Sequence, residues 1–158
     1  MSDPIEAMTI YRERLSPPPW LYLTTALVLP AALIVFLPIA PTVGFVAAPV
    51  LYLGIVATLY WGSPVLAVRE GTLFAGRASI PVALTTELEP VYAEAATAAR
   101  GPGLDARAWL CIRGWVQPVL RIGIADPDDP APYWLVSSRH PEQLAEAIAR
   151  ARASDARL

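Results

Sequence analysis

The sequence contains no lysine, a single cysteine and a single histidine, and these shortages exclude several kinds of site. The lone Cys111 has no partner for an internal disulfide, and one Cys with one His does not supply the soft ligands of a metal cluster. The formal net charge is only -2, without a basic block or an acidic tail. Nucleic-acid binders depend on a strong positive field. We therefore expect no metal, no cofactor and no nucleic-acid partner.

Charge is also missing from one long internal stretch, Leu15 to Val68, which contains no Asp, Glu, Arg or His. Pro38-Ile39-Ala40-Pro41-Thr42 interrupts it. Each half supplies about 18 to 20 apolar residues, the length that spans roughly 30 Å of hydrocarbon as a helix. The stretch predicts two transmembrane helices joined by a tight turn. A re-entrant hairpin is the alternative because the turn is almost apolar, but the span lengths favour full crossing.

Aromatic and basic residues flank both predicted spans. The aromatic anchors are Trp20, Tyr22, Tyr60 and Trp61, and a hairpin places them in one belt at one membrane interface. The basic flanking residues are Arg12, Arg14, Arg69 and Arg77, whereas the turn between the spans is uncharged. The positive-inside bias therefore predicts a multi-pass protein of the plasma (inner) membrane with both termini in the cytoplasm. Arg69 is the interfacial anchor expected from this basic set.

Two prolines, Pro30 and Pro49, fall near the middle of the predicted spans. Paired breaks of this kind form the binding sites of some transporters. However, no ionisable side chain accompanies them, so transport is disfavoured. Small residues in the spans favour close helix packing or pairing with another copy instead. These residues are Ala26, Ala31, Ala32, Gly44, Ala47, Ala48 and Gly54.

The chain from Pro64 onward changes to short alternating segments separated by Gly, Pro and Asp, a pattern that predicts strands. Glu70-Gly71 suits a two-residue hairpin turn, and Tyr92 to Arg100 suits a helical turn or a loose excursion. Pro141 opens a C-terminal helix with an apolar face. The predicted strands are Val65 to Arg69, Thr72 to Ala75, Ala78 to Pro81, Leu84 to Val91, Ala106 to Arg113, Trp115 to Ile124 and Tyr133 to Ser137.

These elements predict an α+β PH-like domain, in which a curved antiparallel sheet or partial barrel is closed by the C-terminal helix. We divide the chain into a cytoplasmic lead (residues 1–19), a transmembrane helical hairpin (20–61) and a cytoplasmic PH-like domain (62–158). Apolar spacing near Ile5 to Arg14 predicts a helix in the lead. The lead mixes acidic and basic residues, which argues against a cleaved signal peptide.

Several stretches resemble an actinobacterial membrane family known as domain of unknown function 3093. They are Tyr11 to Leu15, Gly71 to Arg77, Gly101 to Ala108 and Asp129 to Arg139, of which Pro132-Tyr133-Trp134-Leu135-Val136-Ser137 is the most distinctive. The resemblance covers nearly the whole chain. It implies an actinobacterial inner-membrane protein and implies no activity.

Three polar features suggest a site, and each has a structural explanation. Asp126 to Asp129 lacks the Gly and Glu that a calcium loop requires at its sixth and twelfth positions, so a solvated turn is expected. Ser137-Ser138-Arg139-His140 precedes a helix N-terminus, where an anion can bind, but capping of the helix is expected. Phosphoinositide binding requires a basic cluster around the first hairpin, and the sequence offers only Arg69 and Arg77 there, partly offset by Glu70.

We therefore expect a non-enzymatic interaction or scaffold module that is anchored in the lipid bilayer. Its partner is a protein or a second copy of the chain. Candidate contacts are Trp109, Trp115, Trp134 and Arg139, because aromatic and arginine side chains are enriched at interface hot spots. Core packing is the default expectation for each tryptophan, and a tryptophan is a contact only if it is exposed. Lipid binding or lipid handling by the curved sheet is the alternative. An enzyme comes third, since it requires a deep pocket lined by His140, Asp126 and Ser137.

Overall fold

The computed structural model describes residues 9–156. The chain forms two compact units. The helical unit is Ser16–Ser63, and the sheet unit joins the residues up to Leu15 with those from Pro64 onward. The sheet unit is thus built from segments on both sides of the apolar stretch.

The helical unit contains α1 (Pro19–Thr25), α2 (Val28–Phe36) and α3 (Pro41–Trp61). The segment Pro19–Phe36 and the helix α3 are each long and apolar enough to cross a membrane. Pro41 begins α3, where its missing N–H costs no hydrogen bond. The predicted turn therefore lies where the sequence places it.

The first predicted span is divided at Ala26 and Leu27, which separate α1 from α2. Pro30 explains the division, because its ring has no N–H and would clash with the carbonyl four residues earlier. The N–H of Leu29 instead donates to Ala26 O at 3.0 Å, a tighter i to i−3 bond. Pro49, in contrast, lies inside a continuous α3.

Close packing of α2 on α3 depends on small residues. Ala32, Gly44 and Ala48 are buried, and a Cβ added to Gly44 would lie 3.2 Å from Cβ of Phe36. The packing prediction is confirmed at these positions. Gly54, by contrast, has no neighbouring atom within 4 Å of such a Cβ.

The first sheet, sheet A, has the order β1-β2-β3-β4 and is antiparallel throughout. Its strands are β1 (Thr9–Arg14), β2 (Val65–Arg69), β3 (Thr72–Ala75) and β4 (Ala78–Pro81). Glu70 and Gly71 connect β2 to β3 with φ of 48° and 66°, as the tight turn requires. The predicted hairpin turn is confirmed.

Strand β1 corrects the predicted lead helix. Thr9–Arg14 is extended and pairs with β2, and the rest of that prediction, from Ile5, lies outside the described residues. The strand alternates between half-buried and exposed positions, with Tyr11 and Glu13 less exposed than Arg12 and Arg14. A period of two suits a strand with one buried face, whereas the sparse apolar residues of this segment suit no helix face.

The second sheet, sheet B, has the order β5-β7-β8-β6. Its strands are β5 (Thr85–Val91), β6 (Trp109–Cys111), β7 (Val119–Ile124) and β8 (Tyr133–Ser137), and helix α4 (Ala93–Arg100) follows β5. The pairing of β6 with β8 is parallel, which departs from the predicted antiparallel sheet. The strands β6 and β7 begin later than predicted, because Asp105 turns the chain before β6 and Pro118 cannot donate to a ladder.

The main core fills the space among the inner faces of the two sheets and α5 (Pro141–Asp155). Leu66 of sheet A, Ile122 of sheet B and Leu144 of α5 are all fully buried there. A smaller cluster lies on the other face of sheet B, where Leu135 contacts Ala96 of α4 and its neighbours. Strand β8 is consequently covered on both faces.

Candidate functional site

Two of the tryptophans predicted as contacts pack on each other. Trp134 is 4% exposed in the main core, so the default expectation of core packing is confirmed for it and it is not available as a surface contact. The reason is that β8 is buried on both faces. Trp109 is half-buried, and its ring centroid lies 4.3 Å from that of Trp134. Most of its aromatic surface is therefore used inside the sheet unit.

The other two predicted contacts, Trp115 and Arg139, form hydrogen bonds to the chain at the end of β1. Trp115 is half-buried, and its indole N–H donates to the carbonyl of Leu15 at 3.2 Å. Arg139 is exposed, and its guanidinium donates to the carbonyl of Arg14 at 3.1 Å. Both side chains thus bind the end of β1, which is where the chain enters the helical unit.

A polar cluster around Glu13 completes this attachment. The Glu13 side chain is only 9% exposed. Its Oε2 accepts hydrogen bonds from the Ser138 hydroxyl at 2.6 Å and the Tyr11 hydroxyl at 2.8 Å. Its Oε1 accepts the backbone N–H of Arg139 at 2.9 Å, with the Arg139 guanidinium at 3.7 Å. The carboxylate is therefore satisfied by three donors from two distant parts of the chain.

Tyr11 is the titratable group most affected by this cluster. Burial raises the pKa of its hydroxyl to about 12, and the hydrogen bond to Glu13 adds to the increase while the one to Ser138 opposes it. The neutral phenol is thus the favoured form near neutral pH. Its proton is held as a hydrogen-bond donor, so Tyr11 has a structural role in the cluster.

The Ser137-Ser138-Arg139-His140 segment turns the chain before α5, but the predicted side-chain capping is wrong, because the N-cap His140 makes no side-chain capping hydrogen bond. The buried Ser137 hydroxyl accepts the N–H of Arg113 at 3.1 Å, and the Ser138 hydroxyl accepts the N–H of His140 at 3.1 Å. Asp126 lies beyond the opposite end of β8 from Ser137 and His140. The residues of the third-ranked enzyme hypothesis are therefore separated by the length of that strand.

The remaining candidate features are structural as well. Cys111 is buried, and burial raises the pKa of its thiol, so it is a poor nucleophile. In the acidic loop, Asp126 accepts the N–H of Asp128 at 3.0 Å and Asp129 accepts the N–H of Ala131 at 2.9 Å. These are turn-forming bonds of aspartate. Within residues 9–156, no group of three His, Cys, Asp or Glu side chains is placed to hold a metal ion.

The outer face of sheet A carries the feature that the sequence analysis missed. Strand pairing puts Arg12 opposite Ala67, Arg69 opposite Thr72 and Ala67 opposite Phe74. The alternate residues of these strands, such as Leu66 and Leu73, are buried in the core. We call the outer surface the arginine face. Its members are Arg12, Arg14, Val65, Ala67, Arg69 and Phe74.

A shallow groove of about 430 Å³ runs across the arginine face. Arg12 and Arg69 both line it, and the Arg69 guanidinium lies 4.5 Å from the centre of the Phe74 ring. The only acidic residue in β1 to β4 is Glu13, which belongs to the inner cluster. The groove therefore combines positive charge with an apolar floor.

The signal for the arginine face was present in the lead, where arginines alternate with Tyr11 and Glu13. A helix in the lead, as its spacing predicts, would not pair with the first hairpin, so only the strand β1 reveals this face. Sheet pairing brings Arg12 and Arg14 of β1 beside the strand that carries Arg69. The first hairpin therefore has more arginines near it than the Arg69 and Arg77 that its own sequence supplies.

The predicted aromatic anchors lie at the ends of the helical unit. Trp20, Tyr60 and Trp61 are exposed, with Trp61 at 80%, and Tyr22 is half-buried. The fifth anchor, Arg69, belongs to the sheet unit. It lies at the end of β2 next to the β2–β3 turn, and the helical unit connects to the other end of that strand.

Comparison with known protein families identifies the family of this chain. The family model described as "Protein of unknown function (DUF3093)" matches residues 10–148, most of the chain. This chain belongs to the DUF3093 family. The match confirms the resemblance, and it includes both sequence stretches that meet at the Glu13 cluster, Tyr11 to Leu15 and Asp129 to Arg139. No curated protein and no solved structure matches the chain.

Proposed function

We propose that this DUF3093 protein is a non-enzymatic, membrane-anchored interaction module. In this proposal, the helical unit is a transmembrane hairpin of the plasma (inner) membrane. The sheet unit is a PH-like domain at the cytoplasmic face, with both termini on that side. The module acts by holding one face of this domain close to the bilayer.

The pairing of Arg14 with Val65 is the observation that carries the proposal. These two residues are opposite each other in adjacent antiparallel strands, and the N–H of Leu15 donates to Pro64 O at 3.0 Å. The chain therefore leaves sheet A at the end of β1 and returns to it at the adjacent start of β2. Such an insertion requires the hairpin to enter and leave the bilayer at the same face.

The surface of the helical unit supports insertion in a bilayer. Its exposed large apolar side chains include Leu23, Ile34, Phe45 and Leu53. Exposure of apolar area to water costs about 25 cal/mol per Å², whereas hydrocarbon tails remove this cost. The arginines on both sides of the uncharged helices favour a cytoplasmic sheet unit by the positive-inside bias.

The architecture of the sheet unit supports the PH-like description. Two four-stranded sheets enclose one core, and a C-terminal helix packs against both. Two features differ from the antiparallel sheet that the sequence predicts. The β6–β8 pair is parallel, and the strand β1 precedes the hairpin in the sequence. The proposal therefore concerns a PH-like domain with an inserted anchor.

Lipid binding by the sheet unit is the second candidate function, and the arginine face is the observation that favours it. Positive side chains beside an apolar groove suit the headgroup region of an anionic leaflet better than they suit a neutral protein surface.

Replacing residues 16–63 with a short turn tests the anchor. Leu15 and Pro64 are already neighbours, so a tight turn can connect them without separating β1 from β2. We expect the variant to move to the soluble fraction at high salt, where headgroup attraction is screened, and to keep the fluorescence of buried Trp134. A folded variant that remains with the membrane at high salt would refute the hairpin as the anchor.

A further inference from the structure

We propose that the arginine face binds the anionic phosphate headgroups of the same bilayer that holds the hairpin. This inference rests on the membrane anchoring proposed above. It names the occupant of the groove, which is the phosphate of a lipid headgroup.

The groove has the chemistry that such a headgroup requires. Arg12 and Arg69 line it from adjacent strands, so their guanidinium groups can reach one phosphate from two sides. Neither arginine has an ion-pair partner among the described residues. The apolar floor, formed by Val65, Ala67 and Phe74, suits the glycerol and upper acyl region beneath a headgroup.

The distribution of charge within the sheet unit favours this face over the others. Exposed acidic side chains lie on β5, α4 and α5, of which Glu89, Glu94 and Glu146 are examples, and Asp128 extends the negative surface into the β7–β8 loop. The strands of sheet A present only arginines among their exposed charged residues. Charges of both signs are mixed on the other surfaces, as Glu146 and Arg150 of α5 show. An anionic leaflet therefore attracts the arginine face more strongly than it attracts these mixed surfaces.

The length of the connections allows the contact. Four residues separate β1 from α1, and three separate α3 from β2. Because each link is only a few residues long, sheet A stays tethered close to the point where the chain enters the bilayer in the proposed topology. The attraction is strong only within about one Debye length, which is about 8 Å at physiological ionic strength, so binding requires the arginine face to approach the leaflet this closely.

The test uses the full chain in lipid nanodiscs. Ser79 lies on the outer side of β4, opposite Phe74, and is exposed. A Ser79→Cys variant with Cys111→Ala accepts an environment-sensitive dye at this position. Acrylamide, a neutral quencher, then reports access to the arginine face in nanodiscs of phosphatidylglycerol mixed with phosphatidylcholine and in nanodiscs of phosphatidylcholine alone.

We expect weaker quenching in the anionic nanodiscs and a loss of this protection at high salt. Arg12→Gln with Arg69→Gln should restore strong quenching, because each arginine contributes about five-fold to the equilibrium for contact with the leaflet. Arg107→Gln with Arg150→Gln is the matched control, since it removes two exposed arginines from outside the arginine face and should leave the protection intact. Arg12→Lys with Arg69→Lys keeps the positive charge and should retain most of the protection from quenching.

Two results would overturn the inference, and they can be told apart. A chain that resists alkaline extraction from the nanodiscs but is quenched equally in both lipids is anchored without headgroup binding, which leaves a protein as the occupant of the groove. A chain that alkaline extraction removes is not anchored, and this result rejects the proposed function together with the inference.

Discussion

Arg14 and Val65 face each other across two paired strands, although the whole apolar stretch separates them in the sequence. The helical unit is therefore an insertion between neighbouring strands of one sheet. The short lead before the hairpin is part of the folded unit that follows it. This arrangement brings Glu13 to Ser138 and brings Arg12 to the strand of Arg69.

The Glu13 cluster should stabilise the sheet unit. Glu13→Ala removes the acceptor of the Ser138 hydroxyl and of the Arg139 N–H, and unsatisfied buried donors are costly. We expect the free energy of unfolding to fall by about 2 to 4 kcal/mol, measured by urea unfolding in detergent with tryptophan fluorescence. Glu146→Ala, at an exposed position of α5, is the control and should change it by less than about 0.5 kcal/mol.

A double-mutant cycle with Ser138→Ala separates the cluster from simple loss of a side chain. The two residues share a hydrogen bond of 2.6 Å, so their effects should be non-additive by about 0.5 kcal/mol or more. Additive effects would mean that Glu13 does not depend on Ser138, contrary to the hydrogen bonding described above.

Tyr11 should give the sheet unit a distinctive alkaline sensitivity. Burial raises the pKa of its hydroxyl from 10.0 to about 12, so the folded state holds a proton that the unfolded state releases. The stabilisation of the folded state by the protonated Tyr11 hydroxyl is complete below pH 10 and disappears as the pH rises towards 12. The difference in tyrosinate absorbance between the native chain and Tyr11→Phe measures the midpoint. A midpoint at the ordinary value of 10.0 would contradict the burial of the hydroxyl.

Gly71 should be required by the backbone of the β2–β3 turn. Its φ is 66°, and a Cβ at this position would lie 2.5 Å from Oδ2 of Asp155. Gly71→Ala should reduce the free energy of unfolding by about 1 to 2 kcal/mol, because a Cβ disfavours the left-handed region. Gly114→Ala is the control, since nothing lies within 4 Å of its added Cβ.

The side chain of Asp155 is exposed at the end of α5 and can move, so the backbone conformation should dominate the cost. Combining Gly71→Ala with Asp155→Ala is therefore expected to restore little of the lost stability. Full restoration would show that the close contact, and not φ, makes glycine necessary at the turn.

Local signals in the sequence predicted much of this fold. Period-two alternation predicted the strand Thr72–Ala75, and the pair Glu70-Gly71 predicted the turn before this strand. Both signals depend on only a few neighbouring residues. The proline at the first position of α5 and the apolar spacing after it likewise predicted the helix Pro141–Asp155. The apolar spans follow from composition alone.

Long-range pairing accounts for what was missed. Nothing near Tyr11 in the sequence shows that β2 will supply its partner strand, and the same segment has weak helical spacing. The burial of Trp134 depends in the same way on distant parts of the chain, because the main core that contains it is completed by residues of sheet A and α5. Candidate contacts chosen by residue type, such as Trp134, fail when the fold uses that residue type in its core.

Cysteine accessibility in oriented membrane vesicles tests the inserted hairpin most directly. Single cysteines replace Ala40, between α2 and α3, and Ser154, near the end of α5, in a chain with Cys111→Ala. The account predicts that an impermeant reagent labels position 40 only from outside the cell and position 154 only from the cytoplasmic side. Labelling of both positions from the same side of the membrane would contradict a hairpin that crosses the bilayer from between β1 and β2.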